Sequence, residues 1–217
     1  MHSPIPAVAF ADLSGDPPAG ASTRALLHTR QVEYRGFERS DGLWEMEAEL
    51  RDVKTHPLGL YERGQVPAGE PIHHMVMRVV VDDDFVVRAI ESRMLKQPLG
   101  ECSQALPPMQ GMLGASMRRG WRQSIDAALG QTRGCAHLRE LLLNLATATW
   151  QTVPAGQVRR QGVVHDKPEL LDGNPPFQLD RCVTWDVSGT AVARHYPAYV
   201  GWQPIRRQAK DPEISQG

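Results

Sequence analysis

Apolar and polar side chains alternate most cleanly between Leu43 and Val53. There Trp44, Met46, Ala48 and Leu50 take turns with Glu45, Glu47, Glu49 and Arg51. Successive strand residues point to opposite faces, so this period predicts a strand with one face on a core and one in water. Its glutamate row reads as a solvated face with cross-strand Arg or Lys partners rather than a cation site. A weaker strand is expected from Arg24 to Tyr34, and Asp41-Gly42 in the intervening turn is a hairpin signal. Residues 54–70 form a long aperiodic connection. Alternation returns over Pro71–Val81. It puts His73, Met75, Met77, Val79 and Val81 on one side and His74, Val76, Arg78 and Val80 on the other. Asp82-Asp83-Asp84 is the next turn, and Phe85–Arg93 the returning strand. Three adjacent Asp residues lack the spaced oxygens and closing Glu of a calcium loop, so an exposed hairpin tip is expected.

The period then lengthens from two to that of a helix. Met109, Met112, Leu113 and Met117 follow Pro107-Pro108 at helical spacing and end at Gly120. Trp121–Leu129 is a second short helix capped by Gly130. The strongest helical stripe starts at Cys135 and runs to about Gln151, with Leu138, Leu141, Leu142, Leu145 and Ala148 on one face; Pro154 and Gly156 are expected to stop it. Arg181–Asp186 and Ala191–Tyr196 read as two short strands around Ser188-Gly189. Strands followed by helices predict an α+β fold: an antiparallel sheet of about four strands with three helices on one face, plus a small C-terminal β-hairpin. The expected organisation is a flexible arm over 1–22, a core domain over 23–156, a docked hairpin extension over 157–205 and a loose tail over 206–217.

Composition narrows the function only by exclusion. A net charge of -1 over 217 residues argues against nucleic acid as a partner. No apolar run reaches the roughly 18 residues of a membrane helix, and the N-terminus lacks a signal-peptide pattern, so no membrane partner and a cytoplasmic location are expected. The sequence leaves the oligomeric state open, a homodimer included. P-loop, dinucleotide-binding and common hydrolase signatures are missing.

Three groups of residues could carry chemistry. Cys135 opens the third helix, where unsatisfied N–H groups and the macrodipole favour a thiolate. It lies three and seven residues before Leu138 and Leu142, so its side chain tends toward the apolar face. His137 shares a polar row with Glu140, Asn144 and Thr147. The two act together only if a site sits at the helix tip, beside the loop that carries Cys102. Cys102, Cys135, His137 and Cys182 could form a soft zinc site, although no pair has close C-x-x-C spacing. The adjacent His73 and His74 face opposite ways, so one of them at most serves any one site. The plain alternative for each Cys is a buried thiol, and for each His a hydrogen-bonded structural side chain.

Several segments in order are similar to the bacterial domain-of-unknown-function family 2889. They are Arg39-Ser40-Asp41-Gly42-Leu43-Trp44-Glu45, Leu50-Arg51-Asp52-Val53-Lys54, Gly69-Glu70-Pro71-Ile72-His73-His74-Met75, Gly120-Trp121, and Gly134-Cys135-Ala136-His137-Leu138 with Glu140-Leu141-Leu142. Ala136 stands where the resemblance leads one to expect Thr. Val183 follows Cys182 where His is expected, which weakens a metal site there. The resemblance implies positions, not an activity. The order of hairpin, loop cysteine and cysteine-histidine helix is also similar in layout to iron–sulfur scaffold proteins. Cys102, Cys135 and His137 would match two thiolates and the histidine, and the middle thiolate has no counterpart.

Three readings follow. The first, placed slightly ahead, is a thiol/imidazole site of Cys135 and His137 with Cys102, handling a metal, sulfur or a small molecule, with Glu140 and His73 as further catalytic candidates. The second is a small-molecule enzyme or binding protein that uses His73 or His74 with Arg39, Asp41 and Trp44. The third is a non-catalytic interaction module.

Overall fold

A computed structural model describes residues 24–160, 162, 176 and 178–202. The proposed arm over 1–22 and tail over 206–217 lie outside them. By internal contacts the chain divides into two units that meet at Gln157/Val158.

The first unit is built on one antiparallel sheet. Its strands are β1 (His28–Glu38), β2 (Trp44–Lys54), β5 (Pro71–Val81) and β6 (Val87–Lys96), in the order β1-β2-β5-β6. β1 begins four residues later than its sequence pattern suggests. It is an edge strand and almost wholly exposed, so no buried row marks its limits. Its register comes instead from the Arg39–Leu43 turn, where Gly42 adopts φ +84° and Glu38 is left opposite Trp44. A two-stranded ribbon, β3 (Leu58–Leu60) with β4 (Gly64–Val66), occupies the connection between β2 and β5.

The core lies on one face of the sheet. Trp44, Met46, Ala48 and Leu50 of β2 and Met75, Met77, Val79 and Val81 of β5 pack with Trp121, Ile125 and Leu129 of α1 (Trp121–Leu129) and Leu138, Leu141, Leu142 and Leu145 of α2 (Ala136–Arg160). The methionine stretch after Pro107-Pro108 forms a 3-10 turn over Pro107–Met112 rather than a longer helix. Gly114, at φ +77°, ends helical geometry there. Met109, Met112 and Met117 are buried all the same, as core filler.

Helix α2 runs through Pro154 and Gly156 to Arg160, where the sequence pattern predicts a stop. Pro154 removes one backbone donor. Burial of Val153 keeps this stretch on the core. At Gly156 a Cβ would meet the Trp44 ring at 2.2 and 2.3 Å, so glycine here permits a close approach rather than ending the helix.

The opposite face of the sheet is charged. Arg78 bridges Glu45 at 3.0 Å and Glu47 at 3.2 Å, while Arg35 lies 3.6 Å from Glu47 and 3.8 Å from Glu49. The glutamate row has the cross-strand partners its spacing predicts.

The second unit has its own small cluster of Leu179, Val192 and Tyr196, with Trp185, Val187 and Tyr199 against it. The expected C-terminal hairpin is replaced by a 3-10 turn, Val183–Trp185, and a short helix α3, Thr190–His195. Val192 and Tyr196 stand four residues apart, which places both on one side of a helical turn and serves this cluster where strand pairing would not.

Candidate metal centre

The buried row of β2 does not end at Leu50. Asp52 has the same parity, so it points to the covered face, and it is 3 % exposed. A carboxylate in that row must be paired. The strand register supplies the partners: Arg30 of β1 lies directly opposite Asp52 on one side, and His73 of β5 on the other. Cross-strand neighbours on one face are within side-chain reach. Arg30 donates from Nε to Asp52 Oδ1 and from its terminal nitrogen to Oδ2, both at 2.8 Å. His73 Nδ1 is 3.1 Å from Oδ2, and His28 Nε2 is 3.0 Å from Oδ1.

The first turns of α2 lie over this group. His137 presents Nε2 to Asp52 Oδ2 at 3.6 Å, and its ring lies 4.2 Å from that of His73, centroid to centroid. Glu140, one turn on, accepts from Arg30 at 2.8 Å. Cys135 precedes the helix, half-buried, with Sγ 3.7 Å from His137 Nδ1. The polar row of α2 therefore covers a polar end of the sheet, and its apolar stripe covers the core.

Burial by itself would raise the Asp52 pKa. The Arg30 fork and His28 outweigh burial and hold it down to about 2. Burial lowers the pKa of His73 against the pull of Asp52. It lowers that of His137 as well, helped by His73 and Arg30. Both imidazoles are thus biased toward the neutral form, which is the form that binds metals.

One donor atom each from Asp52, His73 and His137 lies within 4.8 Å of the others. Bonds near 2.1 Å in a tetrahedral site put neighbouring donors about 3.4 Å apart. The two histidine–carboxylate distances, 3.1 and 3.6 Å, bracket that value. Outside the three donors, Arg30 and His28 fix the carboxylate, and ligands held by such outer partners are pre-oriented.

The other candidate residues are distributed differently. Among the described residues, no group of three or more close donors includes a cysteine sulfur. Cys102 lies in a 3-10 turn, Gly100–Ala105, and Cys182 is exposed in the second unit. His74 faces the charged side and meets Glu49 Oε1 at 2.7 Å. Arg39 is held by Asp41 at 2.7 Å and Glu45 at 2.8 Å beside the hairpin turn. Trp44 is core, with its indole N–H donated to Asp83 at 2.8 Å. Trp44 and Asp52 are eight residues apart on β2, so Arg39, Asp41 and Trp44 stand roughly 26 Å from His73 at about 3.3 Å per residue.

No motif in the sequence marks Asp52, Arg30 or His28 as a candidate. The available signal was Asp52 itself, the fifth member of the Trp44-Met46-Ala48-Leu50 row.

No curated protein and no solved structure shows significant similarity to the chain. No described helix is long and apolar enough to cross a membrane. Residues 28–151 match the model of the family described as "Protein of unknown function (DUF2889)". That span runs from His28 on the first strand past His137 on α2 and covers more than half of the sequence, so the chain belongs to the DUF2889 family.

Proposed function

We propose that this protein binds a divalent first-row transition metal through His73, His137 and Asp52 and uses it on a small molecule. The observation that carries this reading is the convergence of three donors from β2, β5 and α2 within 4.8 Å on the covered face. Two imidazoles and one carboxylate suit zinc or ferrous iron better than magnesium or calcium, which prefer all-oxygen sites. Three protein ligands also leave coordination positions for water or substrate, as in catalytic rather than structural sites. The metal would polarise a bound carbonyl or acidify a bound water. Arg30 and His28 would keep the carboxylate aimed.

Elemental analysis of purified protein, followed by zinc titration of the metal-free form, tests the reading. One equivalent bound by wild type, with affinity at least 100-fold weaker in His137→Ala, is the expected result. Wild-type protein that takes up no zinc, ferrous iron or manganese would overturn it.

The contact between Cys135 and His137 supports a second reading. Cys135 would serve as nucleophile, His137 as its base through Nδ1, and Asp52 as the group orienting the far side of the ring. Iodoacetamide alkylation of Cys135, compared in wild type and His137→Ala, separates the two. A rate at least tenfold slower in the variant favours thiol chemistry, and an equal rate removes it.

A further inference from the structure

The imidazole of His137 has a different neighbour at each nitrogen. Nε2 faces Asp52 Oδ2 at 3.6 Å and Nδ1 faces Cys135 Sγ at 3.7 Å. A metal shared with Asp52 has to lie on the Nε2 side. The Nδ1 nitrogen must then carry the proton and give it to an acceptor, as the second nitrogen of a metal-bound histidine almost always does. The sulfur of Cys135 is 3.7 Å away, at the length of an N–H···S contact. It stands across the ring from the three donors and is not one of the close group. The chain also constrains it. Cys135 directly precedes α2, and the peptide N–H of Arg139 donates to the Cys135 carbonyl at 3.0 Å, which ties the residue to the first turn.

We infer that Cys135 is the positioning residue of the metal centre. Its sulfur accepts the Nδ1–H of His137, fixes the tautomer and rotation of the ring, and presents Nε2 to the metal. This rests on the metal reading above. It assigns the thiol a place outside the coordination sphere, in contrast to the soft thiolate ligand expected from sequence. It also makes metal affinity depend on the chemical state of one thiol. Alkylating Cys135 leaves a bulkier thioether, a weak acceptor that no longer fits beside Nδ1, and so loosens the metal, although no metal–sulfur bond is broken.

The test is zinc and cobalt(II) titration of full-length protein in a Cys102→Ser/Cys182→Ser background, with Cys135 intact, as Cys135→Ala, as Cys135→Ser, and after iodoacetamide treatment. Loss of an outer partner of a metal ligand typically costs about 10–100-fold in affinity. The expected result is a loss in that range for Cys135→Ala and for the alkylated protein. Cys135→Ser should recover most of it, because a hydroxyl oxygen can also accept the N–H. In the zinc-loaded protein the Nδ1–H proton of His137 should give a slowly exchanging NMR signal that disappears in Cys135→Ala while the backbone spectrum is kept. Alkylation of folded protein provides the result if the alanine variant does not fold. Unchanged affinity in both Cys135→Ala and alkylated protein would overturn the inference and leave the metal reading standing. A sulfur-to-cobalt charge-transfer band that requires Cys135 would also overturn it, since the thiol would then be a ligand. No uptake of either metal by the intact-Cys135 protein would remove the metal reading and the inference together.

Discussion

His73 and His74 are adjacent in sequence, and each pairs with a carboxylate of β2, but on opposite faces of the sheet. His73 meets Asp52 at 3.1 Å on the covered face, and His74 meets Glu49 at 2.7 Å on the open one. Histidine burial does not separate them, since the two side chains are 22 % and 19 % exposed. The carboxylates do. The Asp52 side chain is 5 % exposed and that of Glu49 26 %. Asp52 also has a charged fork from Arg30, the His28 imidazole beside it and the His137 imidazole brought over it by α2, whereas Glu49 shares its face with Arg35 in solvent. The same kind of histidine–carboxylate contact thus sits among further donor groups on one face and beside a solvent-facing arginine on the other. What differs between the two faces is the carboxylate's surroundings, not the histidine motif.

Matched substitutions sharpen the contrast. Asp52→Asn should cost about 2–3 kcal/mol in urea unfolding, because the fork from Arg30 and the contacts from His28 and His73 lose a buried charged acceptor, while Arg30 keeps Glu140. Glu49→Gln should cost about 0.5 kcal/mol. Equal losses would mean that the two faces are electrostatically alike.

Acid titration gives the next largest effect. The folded pKa of Asp52, about 2, lies below its ordinary value of 3.8, so the unfolded chain takes up the proton first. The stabilisation is complete above about pH 4 and is lost as pH falls toward 2. It amounts to about 2 kcal/mol, from 1.36 kcal/mol per pKa unit. Chemical unfolding of wild type and Asp52→Asn at stepped pH should show their difference shrinking by that amount across the window. A difference that stays constant would contradict the assignment.

The smallest effect belongs to the open face. Arg78→Ala, which removes the bridges to Glu45 and Glu47, should leave the urea midpoint close to that of wild type, and any small loss should shrink in high salt. A large drop in the midpoint would show that this face is not a solvated one.

Much of this arrangement can be read from residue order. The alternation along β2 and β5 puts His73 and His74 on opposite faces. The 3.6-residue period of α2 places His137 and Glu140 on one polar row. One further step along the β2 row, from Leu50 to Asp52, would have exposed a carboxylate facing inward. What residue order does not carry is the contact between layers. The polar row of α2 looks like a solvent-facing row until the sheet beneath it is known to end in Arg30, Asp52 and His73 at that point. His28 and Arg30 are hidden for another reason. They sit on an edge strand whose exposed residues leave no buried row to mark the strand's phase. The late segment misleads because Val192 and Tyr196, four residues apart, share a face on a strand as well as on a helix, and their small cluster goes with the helix.

The most direct measurement is a paired zinc titration of His73→Ala and His74→Ala by calorimetry, starting from metal-free protein. The account predicts that His73→Ala weakens binding at least 100-fold and that His74→Ala leaves it within twofold of wild type. Equal affinities for the two variants, or a greater loss in His74→Ala, would contradict it.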